Sequence, residues 1–371
     1  MDDRHLDSYE AYARIVVIGV GGAGNNAVNR MIDDNLSSVE FYVANTDQQS
    51  LSRSKAQNRI ILGEKMSGGL GAGGDPEVGR KAAEESIDKI REIVAGANLV
   101  FIAAGMGGGT GTGASPVIAQ AAKEAGALTV AIVTRPFTFE GKKRIANSVE
   151  GLNNLKDAVD AIIIVSNDKL LMVNGTSPIS EAFAESDGVL AQSVKTVTDL
   201  ILCPAFINLD FADVRNTLKD SGISLIGFGM GSGPNRSQEA ANNAINSPLL
   251  EASINGARRA ICAVTCGREV SLYEAQETVN RIIEAAGSSV DIKFGVSIND
   301  ELSDQILVSV IASDFTEEFD FTHVPTYDKP ITPTKVEKSP AEEASSSQES
   351  HEERADEKES FLPNFLKDKN L

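Results

Sequence analysis

The chain has no tryptophan and only three histidines, His5, His323 and His351. None lies between residues 6 and 322. A Ser-His-Asp or Cys-His nucleophile, or a His-ligated metal, is therefore excluded from the body of the chain. Chemistry there falls to carboxylates, backbone dipoles, Lys or Arg, or a hard cation. Cysteine is equally scarce: Cys203, Cys262 and Cys266 are odd in number and form no C-x-x-C pair. Buried reduced thiols are expected rather than a disulfide framework or a zinc site. Aromatics make up 5% of residues, which leaves the core to aliphatic packing. No apolar run approaches the roughly 20 residues of a membrane span. The opening MDDRHLDSYEAYAR is acidic and polar, unlike a signal peptide. A cytoplasmic protein with no direct membrane insertion is expected. Excess positive charge is also missing. The net charge of −19 argues against a general binder of nucleic acid or anionic membrane.

The 371 residues, 42% hydrophobic, are enough for a sizeable core and suggest roughly two or three domains. RIVVIGV (14–20), VEFYVAN (39–45), NLVFIAAG (98–105), ALTVAIV (127–133) and DAIIIVS (160–166) are near-continuously apolar, as strands covered on both faces are. Helical stretches alternate with them, so the spacing predicts a parallel sheet with right-handed crossovers. The clearest helix is 75–94, with Asp75 at the N-cap and Pro76 at the first helical position. Near 187–203 the pattern becomes one long helix, with Leu190, Val194, Val197 and Ile201 on one stripe. It is expected to join a second α/β unit. The strands of that unit, 224–230, 258–266, 290–296 and 305–312, alternate more and read as a mixed sheet.

After about residue 316 the character changes. Residues 334–360 hold nine acids, four Lys or Arg and one large aliphatic, Val336, too little apolar surface to fold. The chain then closes with FLPNFLKDKNL (361–371), an apolar segment on a polar tether, read as a docking peptide.

Glycine is abundant where side chains are scarce. GMGGGTGTG (105–113) has six glycines in nine residues, which are entropically unfavourable to order. It follows an apolar strand and opens a helix. GVGGAGNNAV (19–28) does the same, and Gly19, Gly21 and Gly24 match G-x-G-x-x-G. A glycine turn at a helix N-terminus aims backbone N–H groups and the positive dipole end at an anion. Alone, the first loop suits a dinucleotide, and Asp47 lies where a ribose-binding acid would be sought; an NAD-dependent oxidoreductase is the rival reading. A third cluster, SGGLGAGG (67–74), precedes the helix at Asp75. Three such junctions converging on one sheet edge fit a triphosphate better. Gly141–Lys142 is the only Gly-Lys pair, and Pro136 stands where a Walker A glycine should be, so a standard P-loop is excluded. The phosphates would be met by N–H groups, helix dipoles, the Thr110 and Thr112 hydroxyls and a metal ion such as Mg²⁺.

Together GMGGGTGTG, GVGGAGNNAVNRM, VTRPFTFEGKKR (133–144), SNDKLL (166–171) and INLDFADVR (207–215) resemble the tubulin/FtsZ family of GTPases over about residues 13–314, and FLPNFLK is similar to its C-terminal peptide. The resemblance implies a tubulin/FtsZ-like fold: a Rossmann-like parallel-sheet GTP-binding domain (13–186) after a tail (1–12), a central helix (187–206) and a smaller mixed-sheet α/β domain (207–315). A linker (316–360) and the docking peptide (361–371) follow. It implies binding of GTP or GDP with Mg²⁺, with a monovalent cation as the open alternative. Phosphate and first-loop contacts fall on Gly21, Gly22, Ala23, Gly24, Asn25, Gly108, Gly109, Thr110 and Gly111. Glu140 and Arg144 fall in the ribose and phosphate region, and Asn167 at the base. Asp187 matches the residue that selects guanine, whose N1–H and N2 amino group a carboxylate can accept together. Phe183, four residues earlier, would stack on the base; from the residues alone, the favoured reading is Phe183 as core and Asp187 as a helix cap.

Asp210 and Asp213, with Asn208 upstream, resemble the acidic loop that completes the site of the next subunit in a head-to-tail filament. Carboxylates can polarise an attacking water near a triphosphate if a cation bridges. Further implied are a homopolymer at the bacterial division site (the mid-cell ring), adaptors of FtsA or SepF type on the terminal peptide, and no nucleic acid. A scaffold that keeps the fold without turnover is a third class. Ala23, Ser166 and Asp75 depart from the residues common in the family.

Overall fold

The computed structural model describes residues 13–36, 39–174, 178–202, 205–287 and 289–315. The N-terminal tail, Cys203, the linker and the docking peptide lie outside the described residues. The strands are β1 (Ile15–Val20), β2 (Glu40–Asn45), β3 (Asn58–Ile61), β4 (Leu99–Gly105), β5 (Leu128–Arg135), β6 (Ala161–Ser166), β7 (Gly222–Gly231), β8 (Ala257–Cys266), β9 (Asp291–Ile298) and β10 (Ile306–Phe315). The helices up to the middle of the chain are α1 (Gly21–Asp33), α2 (Gln48–Ser52), α3 (Glu64–Ser67), α4 (Pro76–Glu85), α5 (Ile87–Val94), α6 (Thr110–Glu124), α7 (Lys142–Ala158) and α8 (Asn167–Asn174). Beyond them come α9 (Ile179–Leu202), α10 (Phe211–Leu218), α11 (Arg236–Ile245) and α12 (Leu272–Ala286).

The strands form one ten-stranded sheet in the order β3-β2-β1-β4-β5-β6-β7-β10-β8-β9. From β3 to β7 every pairing is parallel. β10 runs antiparallel between β7 and β8, and β9 lies parallel to β8. The second unit is mixed, as its alternation predicts, but it continues the first sheet instead of forming its own. The join is short: Ala161, Ile162 and Ile163 pair with Gly222, Ile223 and Ser224. In β1 and β6 every residue is buried, because helices cover both faces. Val16, Ile18, Val100 and Ile102 pack on one face with α6, while Ile15, Val17, Leu99 and Phe101 pack on the other with α9. Leu190, Val194, Val197 and Ile201 supply the α9 stripe.

Two local expectations differ. The predicted 75–94 helix is broken at Ser86, whose Oγ accepts from Gly63 N at 3.0 Å. The long helix starts at Ile179, ahead of the expected 187. The edge strand β3 went unpredicted; NRII is short, and its first two residues are exposed.

Candidate nucleotide cleft

The parallel order reverses direction at β1 and β4, and the crevice beyond their carboxyl ends is where such sheets take ligands. A cleft of about 410 Å³ opens there. The first and second glycine loops form its floor. Gly21 sits at φ +73°, and a Cβ on it would meet Gly111 N at 2.9 Å. The loops therefore touch through bare backbone. A Cβ on Gly109 would lie 2.7 Å from the Ala72 methyl, so the third cluster packs behind the second loop. It supports the floor without lining it. α3 also separates that cluster from β3, so it is not the strand–helix junction that the sequence suggested.

α1 and α6 both start at this floor. Neither has a side-chain cap, and neither has an acid in its first turn. Elsewhere, α2, α4, α10 and α12 have Asp or Ser side chains accepting from their first-turn N–H groups, while α3, α5, α7 and α11 lack a side-chain cap as α1 and α6 do; what sets α1 and α6 apart is that both open on one cleft. Uncapped first-turn donors at two adjoining helix starts make an anion site.

Gly21, Gly22, Ala23, Gly108, Gly109, Thr110 and Gly111 line the cleft. Gly24 and Asn25 do not. Gly24 backs onto Ala103 O, which a Cβ would approach to 2.2 Å. Asn25 is 3% exposed; with its amide turned to satisfy both ends, it donates to Gly19 O and Gly21 O and accepts from Asn45 Nδ2. It staples the loop from behind, and the neighbouring Asn26 faces the cleft instead. Thr112 is also turned away: its Oγ1 accepts from Gly107 N at 2.8 Å, while Thr110 Oγ1 pairs with Thr46 Oγ1 at 2.7 Å.

The side walls come from three other elements. Glu140 follows β5, accepts from Phe137 N at 2.9 Å and pairs with Arg144. Asn167, at the end of β6, accepts from Ser186 Oγ at 2.7 Å. Phe183 and Asp187 come from the N-terminal turns of α9. Phe183 is 40% exposed and meets the buried Phe137 edge-on at 5.1 Å, so it is a rim aromatic with a free face. Burial pushes the Asp187 carboxyl up from 3.8 to about 7, against a hydrogen bond from Asn26 and the charge of Arg30. An acid placed where ionisation is unfavourable becomes a strong acceptor once a donor pair desolvates with it. Met106, Thr134, Pro136 and Ser186 also line the cleft. Met106, Thr134 and Pro136 fall within the quoted stretches 105–113 and 133–144, but their residue types did not single them out.

Asn208, Asp210 and Asp213 lie elsewhere. α9 is 24 residues long, about 36 Å at 1.5 Å per residue, and the acids follow its far end. β7, directly after α10, begins beside Ala161, the end of β6 remote from Asn167. The acids therefore stand at the opposite edge of the sheet from the cleft. Asp210 Oδ1 accepts from Asp213 N at 2.8 Å and caps α10. Asn208 Oδ1 accepts from Ala205 N at 2.7 Å. Asp47, which added to the dinucleotide reading of Gly19-x-Gly21-x-x-Gly24, caps α2 by accepting from Gln49 N and Ser50 Oγ. It does not line the cleft.

Two adjoining glycine-loop helix starts, a half-buried acid and a rim aromatic mark the cleft of an α/β protein with a Rossmann-like strand order and no P-loop motif. A family model for the tubulin/FtsZ family GTPase domain matches residues 14–175, and one for the FtsZ family C-terminal domain matches residues 222–316. The chain belongs to the tubulin/FtsZ family, whose members are GTPases. It is 39% identical to M. jannaschii FtsZ, in a structure described as an empty dimer, with TM-score 0.80 over 83% of this chain and 90% of that one. A point mutant of the same M. jannaschii protein gives 39% identity and TM-score 0.80 over 84% and 95%. CetZ2 of Haloferax volcanii, described as a GTPγS-bound protofilament, shares the fold at 21% identity and TM-score 0.70 over 81% and 92%.

Proposed function

We propose that this chain hydrolyses GTP and assembles head-to-tail into filaments at the division site, each cleft being completed by the acidic loop of the next subunit. The observation that carries this reading is the separation of Asp210 and Asp213 from the cleft by the length of α9 and the depth of the sheet. No chain can fold its own acids onto its own phosphates, whereas stacking one subunit on another brings the two edges together. Such a heterologous contact does not close, so it propagates. The M. jannaschii FtsZ structure, described as a dimer, fits this reading.

In the cleft, first-turn N–H groups of α1 and α6 hold the phosphates. Asp187 accepts from guanine N1–H and N2–H, Phe183 stacks on the base, Asn167 meets its edge, and Glu140 and Arg144 hold the ribose side. Asp213 and Asp210 of the adjoining copy orient and deprotonate the attacking water, with Asn208 beside them. No group of three or more His, Cys, Asp or Glu among the described residues is arranged to hold a metal. Mg²⁺ suits a site where phosphate oxygens and water supply most ligands; Thr110, which lines the cleft at the start of α6, would hold it, and the ion would neutralise phosphate charge. Among the described residues no helix is long and apolar enough to cross a membrane. Membrane attachment is assigned to FtsA-type or SepF-type adaptors on the segment 361–371.

Phosphate release per subunit, measured against protein concentration, tests the reading. A steep rise above a threshold is expected. A constant rate at all concentrations would contradict completion between subunits, and no release at any concentration would favour a scaffold without turnover.

A further inference from the structure

The first three residues of α8 each hold a different element. Asn167 is held by Ser186 of α9. Lys169 donates to the Leu250 carbonyl in the second unit. Asp168, between them, has no role in the reading above. Its carboxylate accepts from Thr138 N at 2.8 Å and from Thr138 Oγ1 at 2.5 Å. Thr138 begins the short helical turn 138–140 between β5 and α7, which ends in Glu140. Phe137 and Phe139 flank Thr138 and stack at 4.9 Å, and Phe137 also meets Phe183. One acid therefore fixes the segment that bears both the ribose-side carboxylate and the support of the base-side ring.

A small cavity of about 10 Å³ lies under this turn, lined by Arg135, Thr138, Ser148, Ser166 and Asp168 among others. Ser148 is 1% exposed, and its Oγ has no hydrogen-bond partner. A buried hydroxyl left unpaired is unfavourable. The volume is about that required by one water, and the walls offer the two to four polar partners a water needs. Arg135 makes the site unsuitable for a cation.

We propose that Asp168 is a positioning residue for the nucleotide cleft, acting on the 138–140 turn together with one ordered water that pairs with Ser148 Oγ. Loss of the Asp168 carboxylate frees the turn, and both Glu140 and the Phe137–Phe183 contact lose their alignment. The inference rests on the GTP reading of the same cleft.

The test is the dissociation rate of a fluorescent GDP analogue from the full chain, well below its melting temperature. Asp168→Ala should release the probe roughly tenfold faster, the size expected from losing hydrogen bonds to a charged group. Asp168→Asn, which keeps an acceptor for Thr138 N, should restore most of the wild-type rate. Thr138→Val, which removes only the hydroxyl donor, should fall between. Equal rates in wild type and Asp168→Ala, or no rescue by Asp168→Asn, would overturn the positioning role. For the water, Ser148→Ala should lower the melting temperature, because the water loses a partner. An unchanged or raised value means a dry cavity and overturns that part. Failure of the wild-type chain to bind the probe at all would instead strike the GTP reading.

Discussion

The two ends of α9 carry carboxylates of opposite kinds. Near its start, Asp187 is walled in, and burial raises its carboxyl to about 7. Past its end, Asp210 is exposed and already engaged as the cap of α10. The backbone follows the same division. The helices that open on the cleft leave their first-turn donors uncapped, while α10 satisfies its own with Asp210. The cleft end is built to be finished by a ligand that brings acceptors for the amides and donors for the acid. The far end is complete in itself and turns its charge outward, as a surface offered to a neighbour would.

The sharpest way to break this comparison is Asp213→Ala. Turnover should fall by roughly 100-fold or more, the usual worth of a positioned acid or base, with GTP affinity unchanged. Phosphate release beside equilibrium binding checks it, and full activity would remove Asp213 from the chemistry.

Asp187 supplies the second test. Guanine requires the ionised form, so protons compete with GTP. Affinity should fall as pH drops below about 7, approaching tenfold per pH unit. The ligand-free fold should respond the other way. A carboxyl raised in the folded state binds more protons there, so its contribution is fullest below 3.8 and is lost as pH rises through about 7. Binding isotherms and thermal melts across that window read both signs, and a pH-independent affinity would remove Asp187 from guanine recognition.

Phe183→Ala should weaken GTP binding by about 1–3 kcal/mol through lost stacking, with little change in melting temperature because the ring is already at the rim. A large stability loss would mean that it is core after all. The smallest expected effect is on stability, at Asp210. Asp210→Ala should lower stability by about 1 kcal/mol through loss of the cap, and Asp210→Asn should recover it. If Asn recovers stability without turnover, capping and catalysis are separate duties of one side chain.

Much of the first unit was legible in the sequence. Strands buried on both faces must be continuously apolar, and β1, β4, β5 and β6 fell where those runs are. Asp75 and Pro76 marked the start of α4 because a cap is a local contact. What failed was set by distant partners. Ser86 breaks a helical pattern because Gly63 N reaches its hydroxyl. β3 is too short and polar to signal itself. Neighbouring Asn25 and Asn26 are indistinguishable by residue type, and only the packing of α1 on β4 turns one inward and the other to the cleft.

The sequence by itself determined the chemistry available: two glycine loops that only bare backbone can build, no histidine in the body, and carboxylates to act in its place. Those, within an excess of 53 acidic over 34 basic residues, are properties of residue type and spacing, which the chain carries unfolded. Tertiary structure alone decided which acids share a space. One sheet crossed by α9 places Asp187 in the same cleft as the uncapped amides and holds Asp210 and Asp213 at the opposite edge. Distance between residues far apart in the chain is fixed by the packed core and by nothing local.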